Sequence, residues 1–220
     1  ARGGCNLTFT NNTVTGCRDY GIDFNSSENS TFTYNTLIST EYNENENYGL
    51  YNSSSNSNAV IVANYIHLQD AGYNHYGINV NDAQIDSNTV IIEDGYANYS
   101  YQSNYCIYGN RNTVTNNSVS IGYNGNYAYA IYNYGTSEEP AKVYGNSINF
   151  NSNAYGIRGN ALDIQDNTIS GDGAWGIFIN GTGDHSQIID NSVFNTNGSG
   201  IKVENYVQIE MHHNLVVTDS

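Results

Sequence analysis

One asparagine returns nine times, and its return constrains the fold more than any other feature of the sequence. Asn12, Asn35, Asn64, Asn88, Asn117, Asn146, Asn167, Asn191 and Asn214 follow one another at intervals of 21 to 29 residues. Three positions before them stand Phe9, Phe32, Ile61, Ile85, Val114, Val143, Ile164, Ile188 and Met211. Two positions after them stand Val14, Leu37, Ile66, Val90, Val119, Ile148, Ile169, Val193 and Val216. Both columns are apolar in every copy, although only 38% of the chain is hydrophobic. Self-similarity at such a short period marks a repeat architecture.

A second half-motif follows the first. It reads Tyr20-Gly21-Ile22, Tyr48-Gly49-Leu50, Tyr76-Gly77-Ile78, Tyr105-Cys106-Ile107, Tyr129-Ala130-Ile131, Tyr155-Gly156-Ile157, Trp175-Gly176-Ile177 and Ser199-Gly200-Ile201. The middle residue is always small, which predicts a tight bend or a close approach of backbone. Apolar residues alternate with period two, as in Leu162/Ile164 and Ile177/Ile179. β-Branched and aromatic residues fill these runs, and Asn, Gly, Ser and Asp fill the gaps. No stretch carries a helical period. One such coil cannot bury its own apolar side, whereas stacked coils share an interior. The sequence therefore predicts an all-β fold, a right-handed parallel β-helix (β-solenoid) of about nine coils. The coils start near residues 7, 30, 59, 83, 112, 141, 162, 186 and 207 and form a single domain over residues 1–220. At about 4.8 Å per coil the rod is about 40 Å long.

The repeated Asn has a structural job in such a rod. Stacked at one corner, its amide can bond the amides above and below. It also tolerates the left-handed backbone that a sharp corner requires.

The N-[TS]-[IV] … [YW]-G-I pattern resembles the repeats of parallel β-helix surface proteins, of the archaeal adhesin-like and cell-envelope sheath type. More distantly it is similar to the pectate-lyase-like superfamily. The resemblance covers residues 7–217 and implies the fold. It implies little about activity, because this fold hosts lyases, hydrolases and adhesins alike.

Composition narrows the partners. The chain carries 21 acidic against six basic residues, a formal charge of −15. That balance argues against nucleic acid and against an anionic membrane surface, and no apolar run is long enough to insert in a bilayer. An acidic, Lys-poor surface suits an extracellular or cell-envelope location. Asn-x-Ser/Thr sequons at Asn6, Asn11, Asn25, Asn29, Asn52, Asn98, Asn116, Asn180 and Asn197 are glycosylation candidates. Asn116, beside the repeated Asn117, is expected to face outward. The chain opens Ala1-Arg2-Gly3-Gly4, which reads as a processed form or a fragment. Cys5 and Cys17 flank the first coil and are expected to form a disulfide. Cys106 takes the place of the small Gly and reads as a buried small side chain.

Candidate chemistry is thin. The acidic insertion Glu41–Asn47 could offer oxygen ligands to Ca²⁺, but it matches neither an EF-hand loop nor a Gly-Gly-x-Gly-x-Asp repeat and reads as a solvated loop. Asp166 and Asp190 each precede a repeated Asn in adjacent coils, with Asp163 close by, which makes them a weak Ca²⁺ candidate and otherwise surface carboxylates. No other cofactor is expected. The His212-His213 pair should point to opposite sides of a strand and so chelate poorly. The basic residues scatter over different coils, no nucleophile motif is present, and no catalytic residue is assigned. The chain holds 21 Tyr, in the column before Gly and in excursions near Tyr73–Tyr76, Tyr96–Tyr105 and Tyr123–Tyr134. The column should stack as a ladder, and the other rings could meet sugars or a neighbouring subunit.

The expected function is that of an extracellular structural protein of a cell envelope, a solenoid that stacks head-to-tail on itself into a sheath, surface layer or filament. The alternatives are an adhesin-like module that binds surface glycans and, less favoured, a polysaccharide lyase or hydrolase.

Overall fold

The computed structural model describes residues 6–40, 46–69, 74–93, 103–122, 127–151, 153–181, 185–195, 197–205 and 208–219. Among them there is no helix, and three parallel sheets run the length of a β-solenoid. Two sheets have nine strands and the third has eight. The described residues thus form eight turns, followed by one further strand in each of the first two sheets.

One coil illustrates the local logic. Leu162–Gln165 lies in the first sheet, Thr168–Gly171 in the second and Trp175–Asn180 in the third. The first half-motif is two strands, not one, hinged at the Asn. Strand starts at Thr8, Thr31, Val60, Gln84, Thr113, Ala141, Leu162, His185 and Gln208 fall within about a residue of the expected coil starts. In the apolar columns the registers pair like with like. Phe9 meets Phe32, Val143 meets Ile164, and Ile148 meets Ile169.

The apolar columns build the interior. Ile61, Ile85, Val114, Val143, Ile164 and Ile188 from the first sheet are fully buried. They pack with Ile66, Val90, Val119, Ile148, Ile169 and Val193 from the second and Leu50, Ile78, Ile107, Ile131, Ile157 and Ile177 from the third. Burying such a side chain is worth roughly 1.5–3 kcal/mol. No single coil could collect enough of this to fold alone, so the stack is the stable unit.

The small residue of the second half-motif marks a bend in the third-sheet strand. Cys106 and Ile107 are both buried although they are adjacent, and the paired register passes from Tyr105 directly to Ile107. A Cβ at Gly49 would lie 2.4 Å from the Gly77 carbonyl oxygen and 2.7 Å from the Ile66 γ-methyl. The backbone there approaches the next coil too closely for an ordinary side chain. Cys106 is buried as expected, and its Sγ donates to the Ser120 carbonyl at 3.4 Å.

Candidate functional site

The most ordered feature is the asparagine column. In all eight steps the Oδ1 of one Asn accepts two bonds from the Asn of the preceding coil. One comes from its backbone N–H at 2.8–3.0 Å. The other comes from its Nδ2 at 2.9–3.1 Å. The same Nδ2 also reaches back to the apolar strand of the previous coil, as from Asn117 to the Ile85 carbonyl and from Asn167 to the Val143 carbonyl. Each amide from Asn35 to Asn191 therefore ties three coils together, and all seven are buried. These side chains have no hydrogen-bonding capacity left for a ligand.

The left-handed backbone falls elsewhere than expected. A left-handed residue stands immediately before every column Asn: Asn11, Tyr34, Ala63, Ser87, Asn116, Asp166, Asp190 and His213, with φ of 53–57°, and Gly145 at +63°. The Asn does not make the turn; its amide fixes a turn made by its neighbour. Asn116 is exposed, as expected, and its Nδ2 donates to Asp86.

A second device closes the corner between the third and first sheets. Backbone N–H groups of Leu7, Ala83 and Leu162 donate to the side-chain oxygens of Ser30, Asn112 and Ser186 one coil on. This column mixes Ser and Asn with residues that cannot accept, so its sequence shows no repeat. A third polar column, Asn47, His75 and Asn104, is buried at the start of the third-sheet strands. Asn47 therefore belongs to the interior and not to a solvated loop, and Glu46 opens the same strand. Residues 41–45 of that insertion lie outside the described residues. His75 is fully buried, both ring nitrogens are without partners, and burial pushes its pKa down to about 3.

The aromatic column stacks as predicted. Ring centroids stand 5.0 Å apart for Tyr20–Tyr48, 4.7 Å for Tyr48–Tyr76, 5.0 Å for Tyr76–Tyr105 and 5.1 Å for Tyr105–Tyr129. The steps Tyr129–Tyr155 and Tyr155–Trp175 are each 4.8 Å. Tyr108, Tyr132, Arg158, Phe178 and Lys202 form a parallel column beside it. Arg158 sits 5.2–5.8 Å from the centroids of Tyr129, Tyr132, Tyr155 and Phe178. Its Nη1 donates to the Tyr129 hydroxyl at 2.6 Å. Lys202 Nζ lies 4.2 Å over Trp175 and 2.7 Å from Glu204. Burial pushes the phenols of Tyr48, Tyr76 and Tyr129 well above the ordinary range, so they stay neutral. The ladder rings cover one another's faces. The most open rings, Tyr34 at 64%, Tyr127 at 45% and Tyr20 at 42% exposure, lie off the ladder or at its end. Of the excursions, Tyr73, Tyr96, Tyr99, Tyr101 and Tyr123 lie outside the described residues.

The remaining candidates separate. Asp163 accepts the Tyr144 hydroxyl and the Gln165 Nε2 on the outer face of the first sheet. Asp166 and Asp190 stack at the left-handed corner, as expected, and Asp190 lies 3.5 Å from His213. Among the described residues no three His, Cys, Asp or Glu side chains gather so as to hold a metal ion. The His212-His213 expectation needs correction. His213 occupies the left-handed corner rather than a strand position, so both rings are exposed, 6.2 Å apart, and His212 pairs with Glu210 at 2.8 Å. Cys5, and with it the expected bridge to Cys17, lies outside the described residues.

Eight of the nine sequons fall on described residues, and they divide. Asn6, Asn11, Asn29, Asn116 and Asn197 are exposed, while Asn25 and Asn180 are half-buried. Asn98 lies outside the described residues. Asn52 is fully buried, and its Nδ2 donates to the carbonyls of Phe24 and Ser27 at 3.1 and 2.8 Å. The nitrogen a glycan would need is in use inside the fold, which removes Asn52 from the candidates.

A polar cleft of about 650 Å³ crosses the corner between the third and first sheets. Glu28, Asp82, Arg111, Glu138 and Glu139 are on its walls. Arg111 grips Asp82 through Nε and Nη2, both at 2.7 Å, and Glu139 stands 3.7 Å away. Nothing in the sequence signals this pairing, because its partners are a coil apart.

These features define a parallel β-solenoid bound by amide and aromatic ladders. Comparison with protein-family models, with curated proteins and with solved structures returned no match.

Proposed function

We propose that the chain is a structural protein of an extracellular envelope, whose copies stack end to end into a filament, sheath or surface layer. The observation that carries this reading is the sameness of the steps. In each of the eight, one Asn Oδ1 accepts the backbone N–H and the Nδ2 of the Asn before it, so one copy can join another, head to tail, by the same bonds. Such head-to-tail contact is heterologous and propagates. Support for the location comes from the acidic surface and from the exposed sequons.

The glycan-binding alternative draws on Tyr34 and Tyr127, whose rings are open to solvent. It gains nothing from the ladder, where each ring face is covered by its neighbour. The reading is tested by sedimentation over a concentration series. The wild-type protein should lengthen with concentration, and Val216→Asp should hold it at the mass of one chain. Wild-type protein that remains single at millimolar concentration would refute end-to-end stacking.

A further inference from the structure

We propose that the aromatic wall of the third sheet is a second, lateral interface, which pairs two rods side by side about a two-fold axis. Arg158 of each copy receives the acidic turn Glu138-Glu139 of the other. The proposal rests on the self-association reading and extends it from filaments to sheets.

Arg158 is the starting point. The chain has a formal charge of −15, yet no described carboxylate pairs with this guanidinium. It is lodged among four aromatic rings with one N–H on a phenol, which leaves its other donors without an anionic acceptor. Arginine held rigid by ring contacts presents a planar fork suited to a carboxylate. The surroundings have interface composition. Tyr105, Tyr132 and Trp175 pack on a separate aromatic cluster formed by Tyr129, Tyr155 and Phe178, outside the aliphatic interior. Tyr, Trp and Arg are the residues that carry most of the energy at protein contacts. The ladder's seven rings, Tyr20 to Trp175, span six strand spacings, about 29 Å of the sheet.

The acidic turn lies where a strand of this wall runs on to the corner cleft, with Glu139 3.7 Å from Arg111. The strand Tyr127–Tyr134 ends four residues before Glu138, and residues 136–140 are exposed. The turn is pinned by the Thr136 N–H on the Glu139 carbonyl and the Glu139 N–H on the Thr136 hydroxyl, both at 3.0 Å. In a two-fold contact, two patches that adjoin on one copy oppose each other across the interface. A second copy therefore supplies the carboxylate that Arg158 lacks.

The test uses two full-length variants, Arg158→Glu and Glu138→Lys, each also carrying Val216→Asp to suppress end-to-end growth. The Val216→Asp protein alone should form dimers by analytical ultracentrifugation, with a concentration-dependent change in fluorescence of Trp175, the single Trp of the chain. Each charge reversal should weaken that dimer by on the order of tenfold or more. An equimolar mixture of the two should recover it, because each reversed residue then faces its opposite. Recovery on mixing also shows that both variants are folded. A Val216→Asp protein that stays monomeric, an Arg158→Glu protein that dimerises undiminished, or a mixture that fails to recover would each overturn the proposal. So would Trp175 fluorescence that responds to polygalacturonate but not to protein concentration, since the wall would then be a glycan site. Lateral dimers with no filaments in the wild type would sink end-to-end stacking and leave this interface standing.

Discussion

The Oδ1 of Asn117 accepts both the backbone N–H and the Nδ2 of Asn88, at 2.8 and 3.0 Å, and so closes one coil onto the next. Replacing Asn117 by Ala strands the Asn88 backbone N–H and the Ile85 carbonyl that the Asn117 Nδ2 serves, and takes one of three acceptors from the Asn88 Nδ2. Leaving buried polar groups unmet costs about 1–3 kcal/mol each. Asn117→Ala should therefore lower stability by roughly 3 kcal/mol or more, whereas the neighbouring exposed Asn116→Ala should cost well under about 1 kcal/mol. Urea denaturation of the two variants makes the comparison.

Gly49 tests the close approach between coils. A methyl group there meets the Gly77 carbonyl oxygen at 2.4 Å, while at Gly122 the nearest atom is 3.5 Å away. Gly49→Ala should destabilise by about 1–3 kcal/mol through overpacking. Gly122→Ala should be neutral within about half a kcal/mol. Paired thermal melts decide the matter.

Burial holds His75 neutral, with its pKa lowered from 6.5 to about 3. The unfolded chain binds this proton more readily than the folded one, so the stabilisation is complete above about pH 6.5 and is lost as pH falls towards 3. The slope should approach about 1.4 kcal/mol per pH unit in the middle of that window. The Asp86 carboxyl, held low chiefly by the Thr115 hydroxyl, begins to cost stability only below its ordinary range near 3.8, so the two effects separate. His75→Asn, which matches the residues above and below it in the column, should flatten stability between pH 6 and pH 4. Chemical denaturation at a series of pH values is the check.

Glycan occupancy should divide by burial. Asn29 and Asn197 are open, while Asn52 spends its nitrogen on two internal carbonyls. Mass spectrometry of protein from its natural source should find Asn52 unmodified whatever the occupancy elsewhere. A glycan on Asn52 of folded protein would contradict the placement of that coil.

How much of this was legible beforehand depends on whether a position tolerates one residue or several. The Asn column demands an acceptor and two donors on a short side chain, so one residue type recurs nine times and the fold could be read from it. The bend at Gly49 and Gly77 was legible because few residues fit against a carbonyl. The left-handed corner was misplaced because Tyr34, Ala63, Ser87 and Asp166 all occupy it, each held by the amide that follows. The Ser30, Asn112 and Ser186 caps were missed for the same reason. The polar column at His75 was hidden because Ala128 and Ala154 continue it in later coils. The Arg111–Asp82 pair and the isolation of Arg158 arise between coils, where the sequence shows no spacing.

The most direct measurement is high-resolution electron cryomicroscopy of the native assembly. Single-file rods should run on without a break, their axial repeat of about 4.8 Å continuing through each subunit joint. Separate particles about 40 Å long at every concentration, or joints at which the strand spacing is interrupted, would contradict it.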